Sequence, residues 1–471
     1  MNFTEYADLD GTALAELIAK GDVSVDEVTN AARNAIEERN PGLNAVIGTV
    51  QDQPYDNGPF AGVPFLTKEL ILQAEGAMCR SGCRAVPAVP MSFDTSLMTR
   101  FRQAGLHLLG TTQSPEMGYN ATTETVAFGP VHNPWKAGHS AGGSSGGSGA
   151  AVAAGLVPIA HASDGGGSIR VPASCNGLVG LKPTRDRTPT GPTFADPLFA
   201  HGIEFVVSRS VRDSARLLDI VAGPDLGAPH IVAPPERSFA DAALTSPGQL
   251  KVGWIDGSML GTPVRAECVA AVSNTRAMLE ELGHELIETS LDLDFDQFAE
   301  NINLIWCAFA AHFVDEVTAL TGHPADNNYF EAVTLTCARF GSAASATQVL
   351  DALDYVNRIT RETAQAFQGY DVLMSSTLGA PPPRHGTLNQ DDPDISAIDW
   401  TRQTFEYATN TPLFNSTGQP AISLPLHWTA DNLPVGVQFA GRMGDEGVLL
   451  SLASQLENAV SWGAKQREVW A

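Results

Sequence analysis

Positive charge is scarce in this chain of 471 residues. Lys and Arg number 28 against 53 Asp and Glu, a formal net charge of −25 at pH 7. A free-standing nucleic-acid binder needs a basic face to displace phosphate counterions, and an anionic membrane surface repels such a chain for the same reason. No nucleic-acid or membrane partner is expected. Cysteine is sparse as well. Cys79, Cys83, Cys175, Cys268, Cys307 and Cys337 are scattered, which suits buried free thiols rather than a disulfide framework. The apolar run GAAVAAGLVPIAHA (149–162) is broken by Gly and Pro and is too short to span a bilayer. The N-terminal segment has no basic stretch followed by an apolar one, so a cytoplasmic location is expected. No H-E-x-x-H occurs among the 11 His, and the C-x3-C pair Cys79/Cys83 has no second close pair to complete a metal site.

What is present is a large apolar fraction. Hydrophobic residues make up 43% and charged ones 17%, which excludes a disordered chain. Near the N-terminus Leu14, Leu17 and Ile18, then Val25, Val28, Ala32 and Ile36, recur at helical spacing. Ser24 is placed to cap the second helix, and Asn40-Pro41-Gly42 to stop it. LNAVIGTV (43–50) reads as a strand. From about 60 to 225 strand-like runs (GVPFLTK, HLLGTT, PIAHASD, GLVGLKPT) alternate with helical ones (DTSLMTRFRQAG, SVRDSARLLDIVAG), the pattern of an α/β domain with a buried sheet. A Pro-rich connector spans 223–249. LKVGWID, DVLMSS, PAISLPLHW and LPVGVQFAG read as further strands, 297–370 as mostly helical, and EGVLLSLASQLENAV as a closing helix. One unit over 1–471 is expected. It comprises N-terminal helices (1–45), a core (46–225), a variable region (226–410) and C-terminal strands with a helix (411–471).

The segment 138–187 carries the chemistry. It holds two Gly/Ser blocks, Gly142–Gly149 and Gly165–Ser168, around an Ala-rich run. A flexible linker would not be flanked at once by apolar sequence. A phosphate-binding loop needs a Lys that does not follow these glycines, and G-x-G-x-x-G fails at Val152. G-x-S-x-G matches twice, but no strand precedes it as a nucleophile elbow requires. A run of glycines does leave backbone N–H groups free to converge on a carbonyl oxygen without an intervening Cβ. Gly165, Gly166 and Gly167 lead into Ser168, so Ser168 is a candidate nucleophile with an oxyanion hole in its own turn. A serine nucleophile needs a base. Lys68, one of six lysines, sits among Val63, Phe65, Leu66, Leu70 and Ile71, where burial would favour its neutral form. A surface or salt-bridged lysine is the plainer reading of that position.

Gly142-Gly143-Ser144-Ser145-Gly146-Gly147, then Asp164-Gly165-Gly166-Gly167-Ser168-Ile169-Arg170-Val171-Pro172-Ala173, then Gly180-Leu181-Lys182-Pro183-Thr184 resemble the signature of the amidase signature family. AGVPFLTKEL, GTTQSPEMG, FNSTGQPAISLP and LPVGVQFAG extend the resemblance. It implies an α/β fold with a large mixed central sheet covered by helices on both faces. It also implies a serine amidohydrolase with Ser168 as nucleophile, Ser144 on a cis peptide bond as the bridging serine and Lys68 as base. Ser145, Asp164 and Arg170 would support the turn, and Gly165, Gly166, Gly167 and Ser168 would supply the oxyanion hole. Neither a metal nor a cofactor is called for. Two positions depart from the family's common pattern: Ala141, where Pro is usual, and Gly165, where Thr, Ile or Ala is usual.

EMGYNATTE and INLIWCAFAAHFVDEVTALTG look closest to the branch of 6-aminohexanoate cyclic dimer hydrolase, aryl acylamidases and urethane-cleaving amidases. That likeness places Met117, Gly118, Tyr119 and Cys307 at the substrate pocket, with Tyr119 narrowing it. Expected substrates are small uncharged amides: anilides, ω-amino acid oligomers, carbamates and esters. The segment after Thr184 is unlike the amidotransferase A subunit of the same family, which stays as one alternative, with an inactive scaffold as another. A homodimer is left open.

Overall fold

The computed structural model describes residues 1–51, 53–291 and 293–470. Thirteen strands form in chain order: β1 (Val46–Thr49), β2 (Val63–Lys68), β3 (Leu106–Thr112), β4 (Glu124–Thr125), β5 (Gly129–Pro130), β6 (Ile159–Asp164), β7 (Val179–Lys182), β8 (Ile203–Ser208), β9 (Lys251–Trp254), β10 (Glu285–Glu288), β11 (Val372–Ser376), β12 (Ala421–Trp428) and β13 (Pro434–Ala440). β4 and β5 pair only with each other. The other eleven make one mixed sheet in the order β1-β3-β2-β6-β8-β7-β12-β13-β11-β9-β10. The pairs β2–β3, β2–β6, β9–β10 and β9–β11 run parallel and the rest antiparallel.

Side chains alternate across a strand, so neighbouring residues face opposite sides of the sheet. Val372 and Met374 join one hydrophobic cluster with the helices Ala266–Glu281 and Glu446–Val460. Leu373 between them joins a second cluster, built with the helices Phe295–Thr321, Ala332–Ser342, Ala346–Ala366 and Ala397–Tyr407. Ile422 and Leu424 against Ala421, and Val437 and Phe439 against Ala440, divide the same way. The sheet is therefore covered by helices on both faces. Every residue of β2, β3, β6 and β8 is buried, as expected of strands covered on both faces.

Ser24 caps the helix Val25–Leu43 through a capping box with Glu27. That helix does not stop at Asn40-Pro41-Gly42. Pro41 lies inside its last turn, Asn44 ends it with φ 55°, and β1 begins only at Val46. The Asn40 carboxamide compensates there by accepting from the N–H groups of Ala45 and Val46 and donating to the Val46 carbonyl. The connector 223–249 contains a short helix, Phe239–Ala243. Phe295–Thr321, 27 residues, is by length and composition apolar enough to cross a membrane. It packs against Ala332–Ser342, Ala346–Ala366 and Ala397–Tyr407.

Candidate active site

Parallel pairing of β2 with β6 brings two carboxyl strand ends side by side, a place where α/β sheets commonly bind ligands. Lys68 ends β2, and Ser163-Asp164 ends β6. The Lys68 Nζ donates to Ser163 Oγ at 2.9 Å and to Ser144 Oγ at 2.7 Å. Ser144 follows a cis Gly143–Ser144 peptide just before the helix Gly146–Ala153. The glycines of this block serve close packing. A Cβ on Gly143 would lie 2.4 Å from the Thr122 carbonyl oxygen, and one on Gly147 would lie 2.5 Å from the Gln113 nitrogen. Ser145 Oγ donates to the Ser163 carbonyl and accepts from its N–H, both at 3.3 Å, and so ties the block to β6.

Lys68 is 1% exposed. Burial pulls its ammonium down to about 7, against the opposing fields of Asp164, Glu204 and Glu69. Ser144, Ser163, Asp164, Gly165 and Ser168 line one narrow cavity of about 30 Å³. Its other walls include Leu70, Ile71, Met117, Leu198, Trp306 and Phe309. A smaller cavity that also reaches Ser168 is lined by Gly118, Tyr119, Gly166 and Trp306 among others.

Asp164 and Arg170 hold the turn between them. Asp164 accepts from the N–H groups of Gly167 (2.7 Å) and Ile169 (3.2 Å), from Asn415 Nδ2 (2.8 Å) and from two guanidinium nitrogens of Arg170 (2.9 Å each). Arg170 also donates to the Thr411 carbonyl, Gln438 Oε1 and Asn415 Oδ1. Burial pushes the Asp164 carboxyl up, but Arg170, with Lys182 and Asn415, outweighs it and holds the group at about 2. The sequence places the N–H of Gly167 in the oxyanion hole. Its bond to Asp164 removes it from that set. The N–H groups of Gly165, Gly166 and Ser168 are engaged by none of the described residues.

Of the expected pocket residues, Met117 and Gly118 line the cavity at Ser168, and Tyr119 lines the smaller one. Cys307 lines neither. It is fully buried, with its thiol donating to Asn303 Oδ1 at 3.3 Å. One residue is about 100° of helix, so Trp306 rather than Cys307 faces the site. Trp306 stacks on Tyr119 with ring centroids 4.3 Å apart and 9° between planes. Tyr119 OH in turn bonds Thr401 Oγ1 at 2.5 Å. The glycine at 165 follows from this wall, since a Cβ there would lie 2.7 Å from Leu198 Cδ1 and 3.2 Å from Trp306 Cζ2. Cys175 is a core thiol 3.3 Å from Tyr407 OH, and Lys182 is buried with its Nζ on the Pro183 carbonyl. Ser163, Leu198 and Trp306 are site residues that sequence reasoning missed. The one signal was the polar Ser163 at the end of an apolar strand. No cluster of three or more His, Cys, Asp or Glu able to hold a metal occurs among the described residues.

The amidase family model matches residues 23–450. The chain is 34% identical to a 6-aminohexanoate-cyclic-dimer hydrolase of Paenarthrobacter ureafaciens, over 98% of this chain and 96% of that one. It is 31% identical to an acylamidase of Rhodococcus erythropolis over 97% of each. A solved structure of 6-aminohexanoate cyclic dimer hydrolase superimposes with a TM-score of 0.91 at 32% identity, covering 99% of both chains. On the match of fold, signature and length, this chain belongs to the amidase signature family of amide hydrolases.

Proposed function

We propose that the chain hydrolyses small uncharged amides through an acyl-enzyme on Ser168. The observation that carries this reading is the 2.7 Å bond from a buried Lys68 Nζ to Ser144 Oγ, in the cavity that Ser168 also lines. Neutral Lys68 takes a proton from Ser144, Ser144 takes one from Ser168, and Ser168 Oγ attacks the carbonyl carbon. The N–H groups of Gly165, Gly166 and Ser168 receive the oxyanion. The leaving amine takes the proton back through Ser144, and water cleaves the acyl-enzyme by the same relay.

The cavity walls are apolar, and the carboxylate in them, Asp164, is saturated by Arg170, Asn415 and backbone N–H groups. A charged substrate group would find no partner there. The Tyr119–Trp306 stack and the narrow cavity favour flat anilides and slim ω-amino acid amides, with carbamates and esters as further acyl donors. The test is amine release from a panel of anilide, linear amide, cyclic amide and carbamate substrates, with mass spectrometry of fluorophosphonate-labelled protein. Release together with a label on Ser168 supports the reading. A label elsewhere, or no release from any compound, overturns it.

Lys68 must be neutral to accept a proton. With its ammonium titrating near 7, kcat/KM should rise about tenfold per pH unit below that value and level off above it, which a pH–rate profile checks. Gly165→Ala keeps its N–H but sets a Cβ against Leu198 and Trp306 in the cavity wall, so that the wall must shift. A rise in KM for anilides of roughly 3–10-fold is expected, with a smaller change in kcat, as steady-state kinetics would measure.

A further inference from the structure

The mechanism leaves one buried acid behind Lys68 unused. Glu204 on β8 is 2% exposed. Among the described residues no Arg or Lys nitrogen lies within ion-pair distance of its carboxylate. A buried carboxylate without a cation is costly, so its place in the sheet calls for a reason. Ser163 and Glu204 are directly opposed in the antiparallel β6–β8 pair, so their side chains leave the same face. His161, two residues before Ser163, shares that face. The chain of contacts then runs to the base. The Lys68 backbone N–H donates to His161 Nδ1 at 3.3 Å, and His161 Nε2 lies 3.1 Å from Glu204 Oε1. With Nδ1 accepting, the proton of a neutral imidazole sits on Nε2, 3.1 Å from Glu204 Oε1 but at an angle that does not make a hydrogen bond.

We propose that Glu204, seated through His161, is a positioning residue whose negative charge sets the pH at which Lys68 becomes a free base. This rests on Lys68 being the base of the proposed mechanism. The groups acting on Lys68 are Asp164 and His161 from β6, Glu204 from β8 and Glu69 next to it in sequence. The Cys79 thiol also lies in the field of Glu204, and burial pushes that thiol up to about 12, so it stays neutral. Asp164 is already neutralised by Arg170, and burial pushes Glu69 up to about 8, which leaves it largely uncharged near neutral pH. Glu204 thus stands with Asp164 as a charge that counters the desolvation of Lys68, and unlike Asp164 it has no Arg or Lys partner among the described residues.

Glu204→Gln removes that charge and keeps the shape. The acid limb of kcat/KM should move to lower pH by roughly half a unit or more, with KM unchanged because Glu204 does not line the cavity. Glu204→Asp, which withdraws the charge by one methylene, should move the limb the same way by a smaller step, and it is the deciding variant if Glu204→Gln does not fold. The pH dependence of fluorophosphonate labelling gives the same limb without an amide substrate. A folded variant whose limb stays at the wild-type pH overturns the proposal, since a merely structural role would alter rate or melting but not the limb. Lys68→Met separates the two readings. A limb that survives in Lys68→Met refutes the base itself. A limb lost there but unmoved in Glu204→Gln refutes only the role of Glu204.

Discussion

Ser168→Ala should lower kcat/KM for any amide substrate by roughly 10⁴-fold or more, and Lys68→Met should come close to it. The geometry gives the reason. Lys68 is 1% exposed and Ser144 2%, so bulk water is poorly placed to replace either side chain in the relay. Lys68 reaches Ser144 directly at 2.7 Å, and methionine fills the same volume with no group able to accept a proton. Because the residues work as one unit, the double variant Ser168→Ala/Lys68→Met should be no slower than the worse single one. Residual turnover would come from the N–H groups of Gly165, Gly166 and Ser168, which neither change removes. Single-turnover amine release, with circular dichroism to verify folding, measures this. Additive losses in the double variant would mean that Lys68 and Ser168 act independently.

The stretch proposed to carry the chemistry could be singled out in the sequence because its demands are local. Two glycine blocks, a serine that closes the second and a lysine within an apolar strand can each be read as a string, and the fold then sets Ser144 and Ser168 on one cavity with Lys68 bonded to Ser144. What escaped depends on direction rather than residue type. Trp306 and Cys307 are adjacent on a helix buried on much of its circumference, so periodicity alone did not say which of them faces the site. Which N–H groups of the glycine turn are free depends on the reach of the Asp164 carboxylate, which a sequence does not state. β8 escaped because its segment HGIEFVVS places an acidic residue in what is a fully buried strand. The strand is where it is because β6 and β7 pair on its two sides, a long-range fact. That the strands after 371 return to the first sheet was expected; which strand they join, β12 beside β7, escaped for the same reason.

The largest stability effect is expected at Arg170, which touches no substrate. Its guanidinium is fully buried and holds Asp164, Thr411, Asn415 and Gln438 together. Arg170→Met fills the space but leaves a buried carboxylate short of its cation and several acceptors unpaired. Breaking a buried pair in this way costs about 3–5 kcal/mol. The pH dependence distinguishes this cause from a packing defect. In the wild type the Asp164 carboxyl is held at about 2, below its unfolded value of about 3.9. That depression contributes stability which is fully present above about pH 4 and is lost as pH falls towards 2. Without Arg170, burial dominates and the carboxyl shifts upward, so protonation relieves the variant where it weakens the wild type. The gap in melting temperature between them should therefore be widest near pH 7 and narrow as pH falls towards 4. Burial and then the Arg170 charge hold the Lys182 ammonium well below the ordinary value, so removing Arg170 also lifts one of the two pressures on Lys182. Melting curves across this range decide the matter: a gap that does not change with pH would mean that packing, not the ion pair, is what Arg170 contributes.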